Sequence, residues 1–313
     1  MRGVHTLGRP KRVLAAEEAP IAEKEGPAPS TPSLGPIDPA ALPSKEASAK
    51  VAGGRVHAVR STVDGVVFLE KTLAEIRFLR RHHPEMRPVV VFDLDNTVFE
   101  TRARTLLALH AYDEARGTHY FDHIKTIAQV GKNGAHSAEL AKTVPPELFA
   151  DVQQFWLDWF WKGENFQHDA LFPKVAALAR EAKRAGAEVI YLTGRVDRLN
   201  TLAELEAGKL PFADEAHLVT KGKVGANTGD FKANWFKELL KDPQVFIGWF
   251  MTEGCRDIQS IQTAEERVPC VRLGYVHERS EVHRVRADTP TLPETWTRKT
   301  RPLPSKHAGK SAP

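Results

Sequence analysis

Pro88-Val-Val-Val-Phe-Asp-Leu-Asp-Asn-Thr97 is the stretch from which the rest of the chain can be read. Its apolar run, Val89 to Phe92, is short and β-branched, as in strands that are buried on both faces of a parallel sheet. Asp93 and Asp95 follow at once. In open parallel sheets ligands sit outside the carboxyl ends of the strands, so this stretch predicts a buried strand with two carboxylates at its chemically useful end.

Upstream, Val66, Leu69, Leu73, Ile76 and Leu79 recur at helical spacing, which predicts an amphipathic helix running into His82 and His83 and stopped by Pro84. Downstream, helical patterns fill the segment to about Asp169, and then helix and strand alternate. A helix is expected over Pro173–Ala185, with proline near its start and Gly186 just past its end. Strands are expected at Val189–Leu192, His217–Thr220, Val245–Phe250 and Val268–Leu273, with helices at Phe231–Lys241 and after Gly254. Such alternation implies an α/β fold, a Rossmann-like parallel sheet with helices on both faces.

Residues 1–60 and 284–313 mix Pro, Ser, Ala and charge with few large apolar side chains, too few to offset the entropy of ordering, and are read as tails. The core is then 61–99 and 170–283, with a helical insert over 100–169. Two cysteines, Cys255 and Cys270, are too few for a disulfide framework or a zinc ribbon, and indicate a reducing compartment. The start of the chain has no apolar run of signal type. Its most apolar stretches, Pro88–Phe92 and Val245–Met251, fall far short of the roughly 20 residues of a membrane span. A cytoplasmic protein is expected. Formal net charge is +4, with much of the excess at Arg284, Arg286, Arg298, Lys299, Arg301, Lys306 and Lys310. A solvated tail explains this charge, and a polyanion such as nucleic acid is the alternative.

The residues just past each strand carry the chemistry. Asp93-Leu-Asp95-Asn-Thr97 follows the first strand and Thr193-Gly194-Arg195 the second. Glu253 and Asp257 follow the fourth, and Lys232 opens the helix before it. VVVFDLDNT followed by YLTGR resembles the haloacid dehalogenase-like hydrolases, in the branch that dephosphorylates; the resemblance spans roughly Arg87 to Leu273. It implies that Asp93 is a nucleophile that forms an aspartyl-phosphate, and that Asp95 is the general acid/base. Thr193, with Gly194, Arg195 and Thr97 nearby, would hold the phosphoryl group. Superfamily dehalogenases lack the second aspartate, so Asp95 favours phosphate over halide. Lys232 resembles the lysine that neutralises the nucleophile, and its Lys-x-x-Trp resembles the class B acid phosphatases; Lys221, at the end of the third strand, is its rival. A Mg2+ cofactor is implied, on Asp93, Asp95, Glu253 and Asp257. The acids after the fourth strand depart from the usual Gly-Asp-x-x-x-Asp, although their four-residue spacing matches. If that strand extends through Met251, Glu253 takes the metal position and Asp257 the supporting one.

Phosphate monoesters hydrolyse so slowly that enzymes supply up to about 10²¹-fold, roughly 29 kcal/mol. One general acid gives only about 10² to 10⁴, so fixed charges must contribute most of the rest. The substrate class expected is a small phosphorylated metabolite. The insert lies where many superfamily members carry a cap that excludes water and sets substrate choice. Its aromatic cluster, Phe155, Trp156, Trp159, Phe160 and Trp161, is read as core packing. Arg102 and Arg104 are candidates for a second anionic group on the substrate or for ordinary ion pairs, and His168-Asp169 for a hinge. Two further readings stand beside the phosphatase: a nucleic-acid end-processing or binding protein, from the basic tail, and a non-catalytic module of the same fold, from the displaced acidic motif.

Overall fold

The computed structural model describes residues 64–130, 144–222, 227–274, 281–293 and 296. The chain divides into two units, 1–57 and 58–313. The first, with nearly all of the expected N-terminal tail, lies outside the described residues, and so do 297–313. In chain order the elements of the second unit are α1 (Gly65–His82), β1 (Arg87–Phe92), β2 (Phe99–Glu100), α2 (Arg102–Arg116), α3 (Phe149–Phe160), β3 (Ala170–Leu171) and α4 (Pro173–Ala185). There follow β4 (Glu188–Thr193), α5 (Arg198–Ala207), β5 (Leu218–Thr220), α6 (Thr228–Leu239), β6 (Val245–Thr252), α7 (Cys255–Ala264), β7 (Cys270–Gly274) and β8 (Thr291–Pro293).

Six strands form one sheet in the order β5-β4-β1-β6-β7-β8, parallel throughout. The apolar run that opened the reading is β1, flanked by β4 and β6, with Val89 to Phe92 wholly buried. Each such side chain contributes about 1.5–3 kcal/mol by leaving water. On one face Leu69, Leu73 and Ile76 of α1 and Val175, Ala179 and Ala182 of α4 pack against Val90, Phe92, Trp249 and Met251. On the other, Phe236 of α6 and Ile258 and Ile261 of α7 pack against Val89, Val91 and Phe250. Pro173 opens α4 and Gly186, at φ 101°, ends it. A side chain there would strike Arg80, so the glycine also lets α1 lie close.

β6 runs two residues beyond the predicted Phe250. Its register against β1 slips between Val89↔Ile247 and Val90↔Trp249, leaving Gly248 as the extra residue of a bulge. A Cβ on Gly248 would lie 3.1 Å from both Thr72 and Val90. The bulge sets Trp249 and Met251 on the face of α1 and leaves Phe250 on the other. The simple alternation that would have marked the full strand is therefore interrupted.

The C-terminal boundary at 284 needs correction. Residues 291–293 pair with β7 as the edge strand β8, Leu292 is wholly buried and Trp296 nearly so. Pro290 and Pro293 gave this segment the look of a tail, yet prolines are tolerated at a sheet edge, where the missing donor costs no ladder bond. Its neighbour is the start of α1: Asp64 bridges Thr291, and a Cβ on Gly65 would lie 2.7 Å from the Thr291 carbonyl oxygen. Of the tail arginines, Arg284 lies 3.8 Å from Glu281 and Arg286 pairs with Asp288 at 3.0 Å.

Between β2 and β3, which pair antiparallel, the chain leaves the sheet and returns. There α2 and α3 share a separate apolar cluster that includes Ala108, Leu109, Tyr112, Phe121, Val152, Trp156 and Phe160. Trp156 stacks on Phe160 at 4.4 Å, and Phe155 meets Tyr112 edge-on at 5.5 Å. Among the described residues no helix is long and apolar enough to cross a membrane.

Candidate active site

Asp93 stands one residue past β1, its backbone N–H donating to the Met251 carbonyl at 2.9 Å. Three groups fix its carboxylate. The Leu94 N–H donates to Oδ1 at 2.9 Å, the Thr252 hydroxyl donates to Oδ2 at 2.8 Å, and the Lys232 ammonium lies 2.8 Å from Oδ1. Thr252 ends β6, on the two residues by which that strand outruns its prediction; a hydroxyl before Glu253 was the one sequence signal for it.

Lys232 is on the first turns of α6 and is buried. Its ammonium also lies 2.5 Å from Asp257 Oδ2, so one cation serves two carboxylates. Burial pulls the lysine down, but Asp257 and Asp93 outweigh it and hold it above the ordinary lysine range. Asp93 is pushed up, first by burial and then by Asp257, with Lys232 opposing. The rival lysine, Lys221, is half-buried and donates to the Thr228 hydroxyl at 3.3 Å. Of the two, Lys232 is the one placed on Asp93.

The turn after Asp93 is tightened by Asn96, whose φ of 53° is left-handed, a conformation asparagine tolerates better than most residues. Its side-chain oxygen accepts from the Thr101 N–H at 3.3 Å and hydroxyl at 2.9 Å. Thr97 is wholly buried and its hydroxyl oxygen accepts from the Glu253 N–H at 3.2 Å. Thr97 thus braces the two strand ends together. Thr193, also wholly buried, accepts from the Arg195 N–H at 3.2 Å. A Cβ on Gly194 would lie 3.0 Å from Thr228, so this loop runs close against the start of α6.

Asp95 is engaged by two arginines. Arg104 of α2 approaches its Oδ1 at 2.5 Å, and Arg195 reaches it at 2.8 Å through Nη2 and 3.2 Å through Nε. Both arginines also contact Asp169, at 3.0 and 2.9 Å, and Arg195 pairs with Glu204 of α5. Burial raises Asp95, but Arg195 and then Arg104 outweigh it and hold the carboxyl at about 2. Burial pushes Asp169 upward, against the pull of the same two arginines. Neither arginine has an exposed side chain. Arg104, a candidate for a substrate anion or for an ion pair, and Arg195, expected near the phosphoryl group, are both placed on Asp95, since paired carboxylates offset the burial of two guanidiniums. Arg102, the other candidate, is forked onto Glu100. Glu204 lies on a helix with few buried apolar positions, and no sequence pattern pointed to it.

The donors available to the implied magnesium are all oxygens, as a hard cation requires. Among the described residues no three His, Cys, Asp or Glu side chains converge to hold a metal. Magnesium commonly takes only one or two carboxylates and keeps several waters. Asp93 and Glu253 follow paired strands and fit that demand. The carboxylates of Asp93, Asp95 and Asp257 each meet a cation in this arrangement: Lys232 for Asp93 and Asp257, and the two arginines for Asp95.

No family model and no curated protein matches the chain. Solved structures do. It is similar to a haloacid dehalogenase-like family hydrolase from Streptococcus pneumoniae, at TM-score 0.46 and 10% identity over 67% of this chain and 95% of that one. It is similar also to a predicted phosphatase from Clostridium acetobutylicum, at TM-score 0.45 and 14% identity over 66% and 94%. A third likeness is to a HAD-superfamily hydrolase from Ehrlichia chaffeensis, at TM-score 0.41 and 12% identity over 66% and 91%.

Proposed function

We propose that this protein is a cytoplasmic hydrolase of small phosphomonoesters, of the haloacid dehalogenase-like kind, that works through an aspartyl-phosphate on Asp93. The observation that carries the reading is the environment of Asp93: a carboxylate at the end of the central strand, fixed by a backbone N–H, the Thr252 hydroxyl and the Lys232 ammonium. A nucleophile so held has one orientation, and the lysine offsets repulsion from an incoming phosphate dianion.

In the first step an Asp93 oxygen bonds to phosphorus as the ester P–O bond breaks, and the departing alkoxide takes a proton from Asp95. In the second, water attacks phosphorus, its proton passes to Asp95, and phosphate leaves Asp93. As held, Asp95 is ionised, the form that accepts the water's proton. A phosphate dianion nearby raises its proton affinity, and Asp95 takes a proton from water before the first step. Asp93 and Glu253 would hold magnesium, which when bound supplies positive charge to the phosphoryl oxygens. The helical insert acts as a cap whose side chains select the alcohol.

The test is phosphate release from a panel of phosphomonoesters by wild type and Asp93→Asn, each with magnesium and with chelator. Activity confined to wild type with magnesium is expected. Equal activity in Asp93→Asn, or none from wild type across the panel, would exclude the reading.

A further inference from the structure

The insert meets the sheet through charge rather than through apolar packing alone. Asp95 and Arg195 belong to the sheet side of this seam, whereas Arg104 and Asp169 belong to the insert, at its first helix and at its return into β3. Each carboxylate pairs with both arginines: Asp95 at 2.5 and 2.8 Å, Asp169 at 3.0 and 2.9 Å. Two of these four ion pairs, Asp95 with Arg104 and Asp169 with Arg195, cross the seam. The guanidiniums also share a ring of the insert, Phe166, at 4.2 Å from Arg195 and 4.7 Å from Arg104.

The two arginines are not equivalent. Arg195 is tied to Glu204 of α5 on its own side, so it stays in place whatever the insert does. Arg104 donates to the Phe160 carbonyl at 3.0 Å and lies 3.9 Å over the Phe160 ring, both on the insert. It therefore travels with the insert. A substrate role for Arg104 in this arrangement is excluded by its complete burial.

We propose that Arg104 is a positioning residue for the reaction above: it closes the buried square of two carboxylates and two arginines, so that docking of the insert and aiming of Asp95 are one event. The proposal rests on the phosphatase reading for its catalytic consequence and on the seam alone for its mechanical one. Charges buried across a seam do not part gradually, since an ion pair that breaks there leaves two desolvated charges behind; docked and undocked are discrete states. With the insert away, Asp95 keeps Arg195, which reaches both its oxygens, but loses the Arg104 bond that sets its aim from the insert side, and a misaimed proton carrier costs on the order of 10²-fold in turnover.

The experiment pairs kinetics with hydrogen exchange on the full chain. Arg104→Met is expected to lower kcat by about 10²-fold with KM within a few-fold, and to slow Asp95→Asn no further, because it acts through that carboxylate. Arg104→Lys keeps the charge without the fork and is expected to fall between them, giving a variant that folds should the methionine not. In both Arg104→Met and Asp95→Asn, amides of Arg102–Arg116 and Phe149–Phe160 should exchange on the order of tenfold faster, with those of Pro173–Ala185 unchanged. Equal slowing by Arg104→Met in wild type and in Asp95→Asn would overturn the proposal, as would unchanged exchange in both variants. Failure of wild type to release phosphate would overturn the phosphatase reading, with the exchange arm still deciding the seam.

Discussion

Replacing Lys232 with methionine separates the two lysines that the sequence left in competition, and the structure sets the size of the effect. The Lys232 side chain is 1% exposed, and its ammonium sits 2.8 Å from Asp93 and 2.5 Å from Asp257. Taking it away leaves two desolvated carboxylates without a cation. Breaking a buried ion pair in this way costs about 3–5 kcal/mol. Asp93, already pushed upward by burial, can relieve part of this by taking a proton, so the lower end, roughly 3 kcal/mol or 6–12 °C in Tm, is expected. Turnover should fall about 10²–10³-fold when measured well below the variant's Tm, since the same ammonium offsets charge on the phosphoryl group. Lys221→Met removes a 3.3 Å bond to Thr228 at a half-buried position, and should cost about 1 kcal/mol or less and change turnover only a few-fold. Urea unfolding and initial rates on the same preparations decide it. A Lys232→Met protein as stable and as active as wild type, or a larger loss from Lys221→Met, would refute the reasoning.

Three further perturbations address other parts of the account. Asp169→Asn removes one carboxylate of the buried square and leaves Arg104 and Arg195 to share Asp95, so it should cost about 3–5 kcal/mol by urea unfolding, and an unchanged midpoint would contradict the assignment. Leu292→Ala, at a wholly buried position of β8, should cost about 2–5 kcal/mol by urea unfolding, whereas a tail residue would cost nothing measurable. Gly248→Ala places a Cβ 3.1 Å from Thr72 and Val90 and should cost about 1–3 kcal/mol; a neutral result would mean that the bulge has room to give.

The central strand, its two aspartates and the alternation of helix and strand could be read because each rests on a local pattern: a β-branched run, a two-residue spacing, a proline and glycine bracketing a helix. What could not be read was decided by contacts distant in sequence. Thr252 reaches Asp93 only because Gly248 bulges β6, and a bulge breaks the alternation that marks a strand. Arg104 and Arg195 were legible as cations near the first motif and in the second, but their destination depended on how the insert folds back. Asp169, which meets both arginines, and Glu204, which pairs with Arg195, had no spacing to betray them. The edge strand β8 was hidden by prolines that an edge tolerates, and its reason for being there is the bare backbone of Gly65, more than two hundred residues earlier.

The most direct measurement is to quench turnover with borohydride and map the modified residue by mass spectrometry. Borohydride reduces an acyl-phosphate to the alcohol, so a chain caught with phosphate on Asp93 should carry homoserine at that position, dependent on substrate and absent from Asp93→Asn. Sustained phosphate release with Asp93 unmodified under the same quench, or homoserine at another aspartate, would contradict the claim that Asp93 is the nucleophile.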